Sequence, residues 1–322
     1  MVIKAALVRN RQDLAQVFQP FHLGNGPFII KPNWYNDVKG YYTDAQTLEL
    51  LFQALPTGNK YVVEAHCHAR NDHSRQLEPH EGIEHWDWLR EQEQRYLDAT
   101  GLARVLGKYN VEYINVSDEL WAGRAVEAAT IERLVSAKYG PVTRRELLGA
   151  VPQKLFDMSN KATFINLAKL KAWAGPSGRS YSLALKNIFG LIPSPNRRDY
   201  HGASFVGLPG SIVEINKIYH ALFRIVSICE AIFNTLITVE GHPLDGSGLL
   251  ENLGFVAASD RTVDLDAFIV TALGGQPDQR HFLIQGAEAF GAWRKEDFPA
   301  LSGELERVVE RMRYPLMAPV SP

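Results

Sequence analysis

The sequence predicts a mixed α/β protein in which a mostly parallel sheet carries helices on both faces, a Rossmann-like layered architecture. Three observations point there. Short apolar runs alternate with stretches of helical periodicity. The chain has apolar residues enough for a large core, 46% of 322. Polar side chains follow several apolar runs directly, as expected where ligands bind beyond the carboxyl ends of parallel strands.

Taken in order, the β-type runs cover residues 4–8, 28–31, 61–64, 111–116, 162–167, 236–240 and 254–259. Residues 43–55 give the clearest helical pattern, with Asp44 near the start and Leu48, Leu51, Phe52 and Leu55 on one face. Further helices are expected over 83–106, 130–138, 144–148, 180–189, 212–233, 264–273 and 302–312. Residues 218–237 come nearest to the roughly 20 apolar residues of a membrane span, but His220, Arg224 and Glu230 interrupt them. A buried helix is expected there, and no membrane partner. The whole chain, 1–322, is expected to form one elaborated α/β domain, with 291–322 as a C-terminal helical extension.

Composition excludes several classes. Lys and Arg number 34 against 36 Asp and Glu, a net charge of −2 with no long block of one sign, so the footprint of a nucleic-acid binder is absent. The N-terminal apolar run is broken by Lys4 and has no cleavage signature, so a cytoplasmic location is expected. Cys67 and Cys229 are too few for a disulfide framework or for an iron–sulfur cluster held by thiolates of this chain.

The strand ends supply the candidate site. Lys31-Pro32-Asn33 places a cation and an amide where proline stops a strand, although a solvated lysine at an ordinary strand exit reads the same way. Glu64, His66 and His68 follow the next run. His66 and His68 on extended backbone face one side, the spacing that two imidazole ligands of a divalent metal need, and His73, His80 and His85 follow. A polar surface loop is the alternative. Lys169 and Lys171, two residues apart, suit an anionic ligand, or one of them loses its proton and becomes a base or amine nucleophile. Lys186 sits among Leu183, Leu185 and Ile188, where a helix would hide its charge. Glu240, His242, Asp245 and Gly246 lie in a glycine-bearing loop suited to close approach by an anion. Asp264 and Asp266 read as caps of their own helix.

Ile29-Ile-Lys31-Pro32-Asn33, Thr43-Asp44, Ile165-Asn-Leu-Ala-Lys169-Leu-Lys171, Leu183-Ala-Leu-Lys186-Asn187-Ile-Phe-Gly190-Leu-Ile-Pro193, His201, the 241–248 loop and Val263-Asp-Leu-Asp-Ala267 follow one another in an order that resembles the domain of unknown function 362 family. The resemblance covers roughly residues 28–290, and the element from Leu183 to Pro193 is its most specific motif. It implies an α/β fold and a cytosolic, bacterial protein. Many members carry an added ferredoxin-like cluster domain, which this two-cysteine chain lacks. The family pattern continues with Thr-His after the second lysine, where this chain has Ala172-Trp173, so an acid or metal ligand expected at that histidine is missing.

The expected function is an enzyme for a small anionic or carbonyl-containing metabolite. Lys31, Lys169, Lys171 and Lys186 would stabilise an oxyanion or enolate; Asn33, Asn187 and His201 would orient the substrate; Glu64, His66 or Glu240 would move protons. Isomerase, lyase or carbon–carbon bond chemistry fits a chain without a cluster. An oxidoreductase like the cluster-bearing relatives and a non-catalytic binding or accessory protein are the alternatives.

Overall fold

The computed structural model describes residues 2–72, 75–175, 178–203, 206–238 and 248–317. Its strands are β1 (Ile3–Leu7), β2 (Phe28–Lys31), β3 (Lys60–Glu64), β4 (Glu112–Asn115), β5 (Thr163–Lys169), β6 (Lys171–Gly175), β7 (Gly178–Ser182), β8 (Arg224–Ala231), β9 (Asn234–Thr238), β10 (Leu249–Glu251) and β11 (Phe255–Ser259). Seven join in the order β1-β11-β8-β5-β2-β3-β4. Of these, β8, β5, β2, β3 and β4 are parallel, and β11 runs antiparallel to both its neighbours. A second sheet, β10-β9-β6-β7, has a single parallel pairing, β6 with β9.

Successive residues of the central strands are buried on opposite faces, which is why they read as unbroken apolar runs. Phe28, Ile30, Val62 and Ile165 share one core with Leu14 and Val17 of the helix Arg11–Phe18 and with Leu48, Leu51 and Phe52 of the helix Ala45–Ala54. Ile29, Val63 and Phe164 face the other, built from the helices Ala128–Tyr139, Leu208–Leu222 and Thr262–Ala272. The helix Gly303–Met317 adds Val308, Val309, Met312 and Leu316 to that second core. Asp44 caps the helix Ala45–Ala54 by accepting from the Thr47 amide at 2.8 Å.

Chain order positions the site. The path β2, β3, β4 runs outward on one side of β2 and then returns to place β5 on the other, so the strand order reverses between β2 and β5. Lys31 faces Asn166 in register at that point, with Glu64 beside Asn115 and Lys169 beside Glu230. Such a reversal opens a crevice at the strand carboxyl ends.

Several elements differ from expectation. The run expected as a helix over 212–233 is a helix only to Leu222; Arg224–Ala231 is the interior strand β8. Ile225, Val226 and Ile228 are β-branched, and a strand covered on both faces lacks the alternation that would separate it from a buried helix. Residues 178–182 are a strand rather than a helix start, because Tyr181 and Ser182 pair with Ala172 and Lys171 across β6. The helix expected over 83–106 breaks at Gly101, whose φ of +72° is left-handed, into Trp86–Ala99 and Leu102–Lys108. Helices Arg11–Phe18 and His281–Phe290 were not foreseen. Among the described residues no helix is long and apolar enough to cross a membrane.

Candidate functional site

Two lysines end adjacent parallel elements and are neutralised there. Lys31 closes β2, is 1% exposed, and donates to Glu64 Oε2 at 2.9 Å and to the Pro32 carbonyl at 2.7 Å. Burial lowers its pKa, and Glu64 opposes that shift. Gly190 packs against this pair: a Cβ there would lie 2.7 Å from Lys31 Nζ and 2.8 Å from Glu64 Oε1. The glycine of the most specific motif is thus explained by close approach to an ion pair. Lys169 closes β5 and lies 2.6 Å from Glu230 Oε1, with Asp44 Oδ2 at 3.5 Å and the Asn234 carbonyl at 3.0 Å. Burial raises the Glu230 pKa, while Lys169 pulls it back down.

Among the described residues Lys171 and Lys186 have no such partner. At Leu170 the chain leaves the seven-stranded sheet, and Lys171 opens β6 in the other. Lys171 is 5% exposed and donates to Asn33 Oδ1 at 2.7 Å and to the Tyr41 carbonyl at 2.9 Å. Lys186 is half-buried, on the short helix Ala184–Ile188, with its ammonium 5.5 Å from the centre of the Trp173 ring. Among the described residues neither lysine has a carboxylate within ion-pair distance. Burial, then the charges of Lys186, Lys169 and Lys31, push the Lys171 pKa well below its ordinary value; burial lowers Lys186 to about 8. The four lysines therefore share one electrostatic neighbourhood. The rings of Tyr35 and Tyr41, at 5.8 and 5.3 Å, would favour an ammonium on Lys171. That contribution, about 0.5–2 kcal/mol per ring, is smaller than the several kcal/mol it costs to bury an unpaired ion.

Asn33 and Asn187 belong to one chain of side-chain hydrogen bonds. Asn33 donates to Asn187 Oδ1 at 3.1 Å; Asn187 donates to the Lys31 carbonyl at 3.0 Å and to Asn166 Oδ1 at 2.8 Å; Asn166 donates to the Ala184 carbonyl and to Ser227 Oγ. Asp266 does not cap its own helix. Its two oxygens accept the amides of Ala184 and Leu185 at 2.9 and 2.8 Å and so fix the helix that carries Lys186 and Asn187. Asp264 pairs with Arg261 at 2.8 Å. His201 bonds the Arg197 carbonyl at 2.8 Å and packs edge-on to Phe189. Burial lowers its pKa, assisted by the charges of Lys186, Arg197 and His68.

The histidine reading changes. His66 is 1% exposed and stacks on Trp121, with Nε2 2.9 Å from Asp118 and Nδ1 3.5 Å from Glu93. Burial opposes its charge, but those two carboxylates outweigh burial and raise its pKa, and both ring nitrogens already have protein partners. His68 is exposed in the 3₁₀ turn His68–Arg70, with Nδ1 3.2 Å from the Pro195 carbonyl. The structure does not present them as a ligand pair, because the extended chain stops at Cys67. Among the described residues, neither belongs to a group of three close His, Cys, Asp or Glu ligands; Glu81, Glu84 and His85 form one, on the surface. Glu240, His242, Asp245, Gly246 and His73 lie outside the described residues.

Residues that the sequence did not mark complete the site. Glu230 stood out only as a charge interrupting an apolar run, yet a lone carboxylate in a central strand demands a buried cation, which is Lys169. Arg197 is buried and ties the carbonyls of Gly190, Ile192 and His66 together. A cleft of about 460 Å³ opens elsewhere, beside Glu93, Asp118, Arg90 and Arg124. Its charges are already paired, Arg124 with Glu119 at 2.8 Å and Arg90 with Asp118 at 3.8 Å, so it offers no unmatched group.

A family model described as a domain of unknown function, DUF362, matches residues 29–271. No curated protein and no solved structure matches the chain. The matched span includes both strand ends, the Lys169-Leu-Lys171 step and the helix of Lys186, and it covers most of the sequence; the chain belongs to the DUF362 family.

Proposed function

We propose that this chain is a cytoplasmic enzyme acting on a small anionic or carbonyl-containing metabolite by acid–base chemistry of the isomerase, lyase or carbon–carbon bond kind. One observation carries the reading. Of four lysines near the carboxyl ends of β2 and β5, two are matched by Glu64 and Glu230, and two, Lys171 and Lys186, have no carboxylate among the described residues. A sheltered lysine without a carboxylate either holds an anion or gives up its proton, and both states suit an anionic or carbonyl-bearing ligand. Lys186, with a pKa of about 8, is protonated at neutral pH and would bind the negative group; Lys171 faces where an oxyanion or enolate would develop. Asn33 and Asn187 would orient through their fixed amides, and His201 would add a further polar contact.

The test is ligand-dependent thermal stability against short carboxylates and 2-oxo acids. The expected result is a rise in Tm for some of them that is lost in Lys186→Met, whose own Tm stays close to that of the wild type. A shift that survives in that variant would place the anion elsewhere.

A further inference from the structure

Lys171 is set apart by what its nitrogen touches. A protonated lysine has three N–H donors, whereas a neutral amine has two and a lone pair. Among the described residues Lys171 has two acceptors, Asn33 Oδ1 and the Tyr41 carbonyl, both uncharged. The Asn33 oxygen cannot be exchanged for its amide nitrogen, because that nitrogen donates to Asn187 Oδ1, and the Asn187 nitrogen in turn donates to the Lys31 carbonyl and Asn166 Oδ1. The direction of the whole chain is thus set from β2 and β5, and it meets the demand of an amine while leaving the electron pair uncommitted.

We propose that Lys171 is an amine nucleophile that forms a Schiff base with a small 2-oxo acid, whose carboxylate is held by Lys186. The proposal rests on the reading of the lysine cluster as an anion and carbonyl site, and it names the substrate class and covalent step. The Nζ lone pair adds to the carbonyl carbon, and the carbonyl π electrons move to oxygen. The two hydrogens of the amine nitrogen leave with that oxygen as one water, and a C=N bond remains; nothing is oxidised or reduced. Protonated, the imine draws electrons from the neighbouring carbon, which is what proton transfer or carbon–carbon cleavage at that carbon requires. Burial and the charges of Lys186, Lys169 and Lys31 push Lys171 towards the neutral amine, the form its two uncharged acceptors suit.

The test is borohydride trapping on the full chain with glyoxylate and with pyruvate, the smallest anionic carbonyl probes of this class, followed by peptide mass mapping. The expected product is a secondary amine on Lys171, absent in Lys171→Arg, and requiring at least tenfold more probe in Lys186→Met. The wild-type map stands by itself should either variant fold poorly. Adducts spread over surface lysines such as Lys39, with Lys171 unmodified, would overturn the assignment. If the probes raise Tm without trapping at Lys171, the anion site stands and the nucleophile is wrong. If neither a Tm rise nor an adduct is seen, both readings fall.

Discussion

At the residue scale, the Lys31–Glu64 pair shows how closely this site is built. Both side chains are almost fully buried, so Glu64→Gln leaves an uncompensated cation in the interior, and unfolding in urea should show a loss of about 3–5 kcal/mol. Gly190→Ala pushes a methyl group against both ends of the same pair, with an expected loss of about 1–3 kcal/mol in the same measurement. If Gly190→Ala proves neutral, the pair has room to move and the glycine has another reason. The positions of Lys31, Lys169 and Lys186 were legible because each cation stands against an apolar run. Their partners were harder to read. Glu64 and Glu230 lie 33 and 61 residues from the lysines they neutralise, and only the strand register brings them together. His66 was legible as a polar residue after a strand, but the carboxylates that occupy its ring nitrogens come from distant helices, Trp86–Ala99 and Val116–Trp121.

At the element scale, the helix Ala184–Ile188 has five residues, too few to hold itself together, so the Asp266 carboxyl that accepts its first amides sets its position. Burial raises Asp266 from 3.8 to about 7. Between those values the folded chain keeps a proton that the unfolded chain has released, so stability falls as pH rises through the window and levels off above it. Asp266→Asn should lower stability overall and remove that slope, a difference on the order of 4 kcal/mol across the window, read from urea midpoints at a series of pH values. An unchanged slope would move the titration to another group. Helices with a clear apolar stripe, such as Ala45–Ala54, could be read directly; β8 could not. A strand buried on both faces and a buried helix give the same unbroken apolar run, and Phe223, with φ −129° and ψ 150°, marks a boundary that no glycine or proline announces.

At the scale of the whole molecule, a parallel sheet with two cores was legible, while the second sheet was not, because β6, β7 and β10 are short and five of their six end residues are small or polar. Each core is needed. Leu51→Ala under the helix Ala45–Ala54 should cost about 2–5 kcal/mol in urea, and with no contact to the lysines it should leave any ligand-induced rise in Tm intact. The single residue Leu170 joins the two sheets, with its amide on the Glu230 carbonyl at 2.9 Å. A one-residue spacer tolerates no slippage. Inserting an alanine after Leu170 would turn β6 over, put the new alanine where Lys171 now meets Asn33, and bury the Lys171 stem where Ala172 now packs. The seam between the sheets thus acts as a ruler for the distance between two cations, and a chain lengthened there by one alanine would keep most of its strands yet lose the geometry that brings Lys171 to the others.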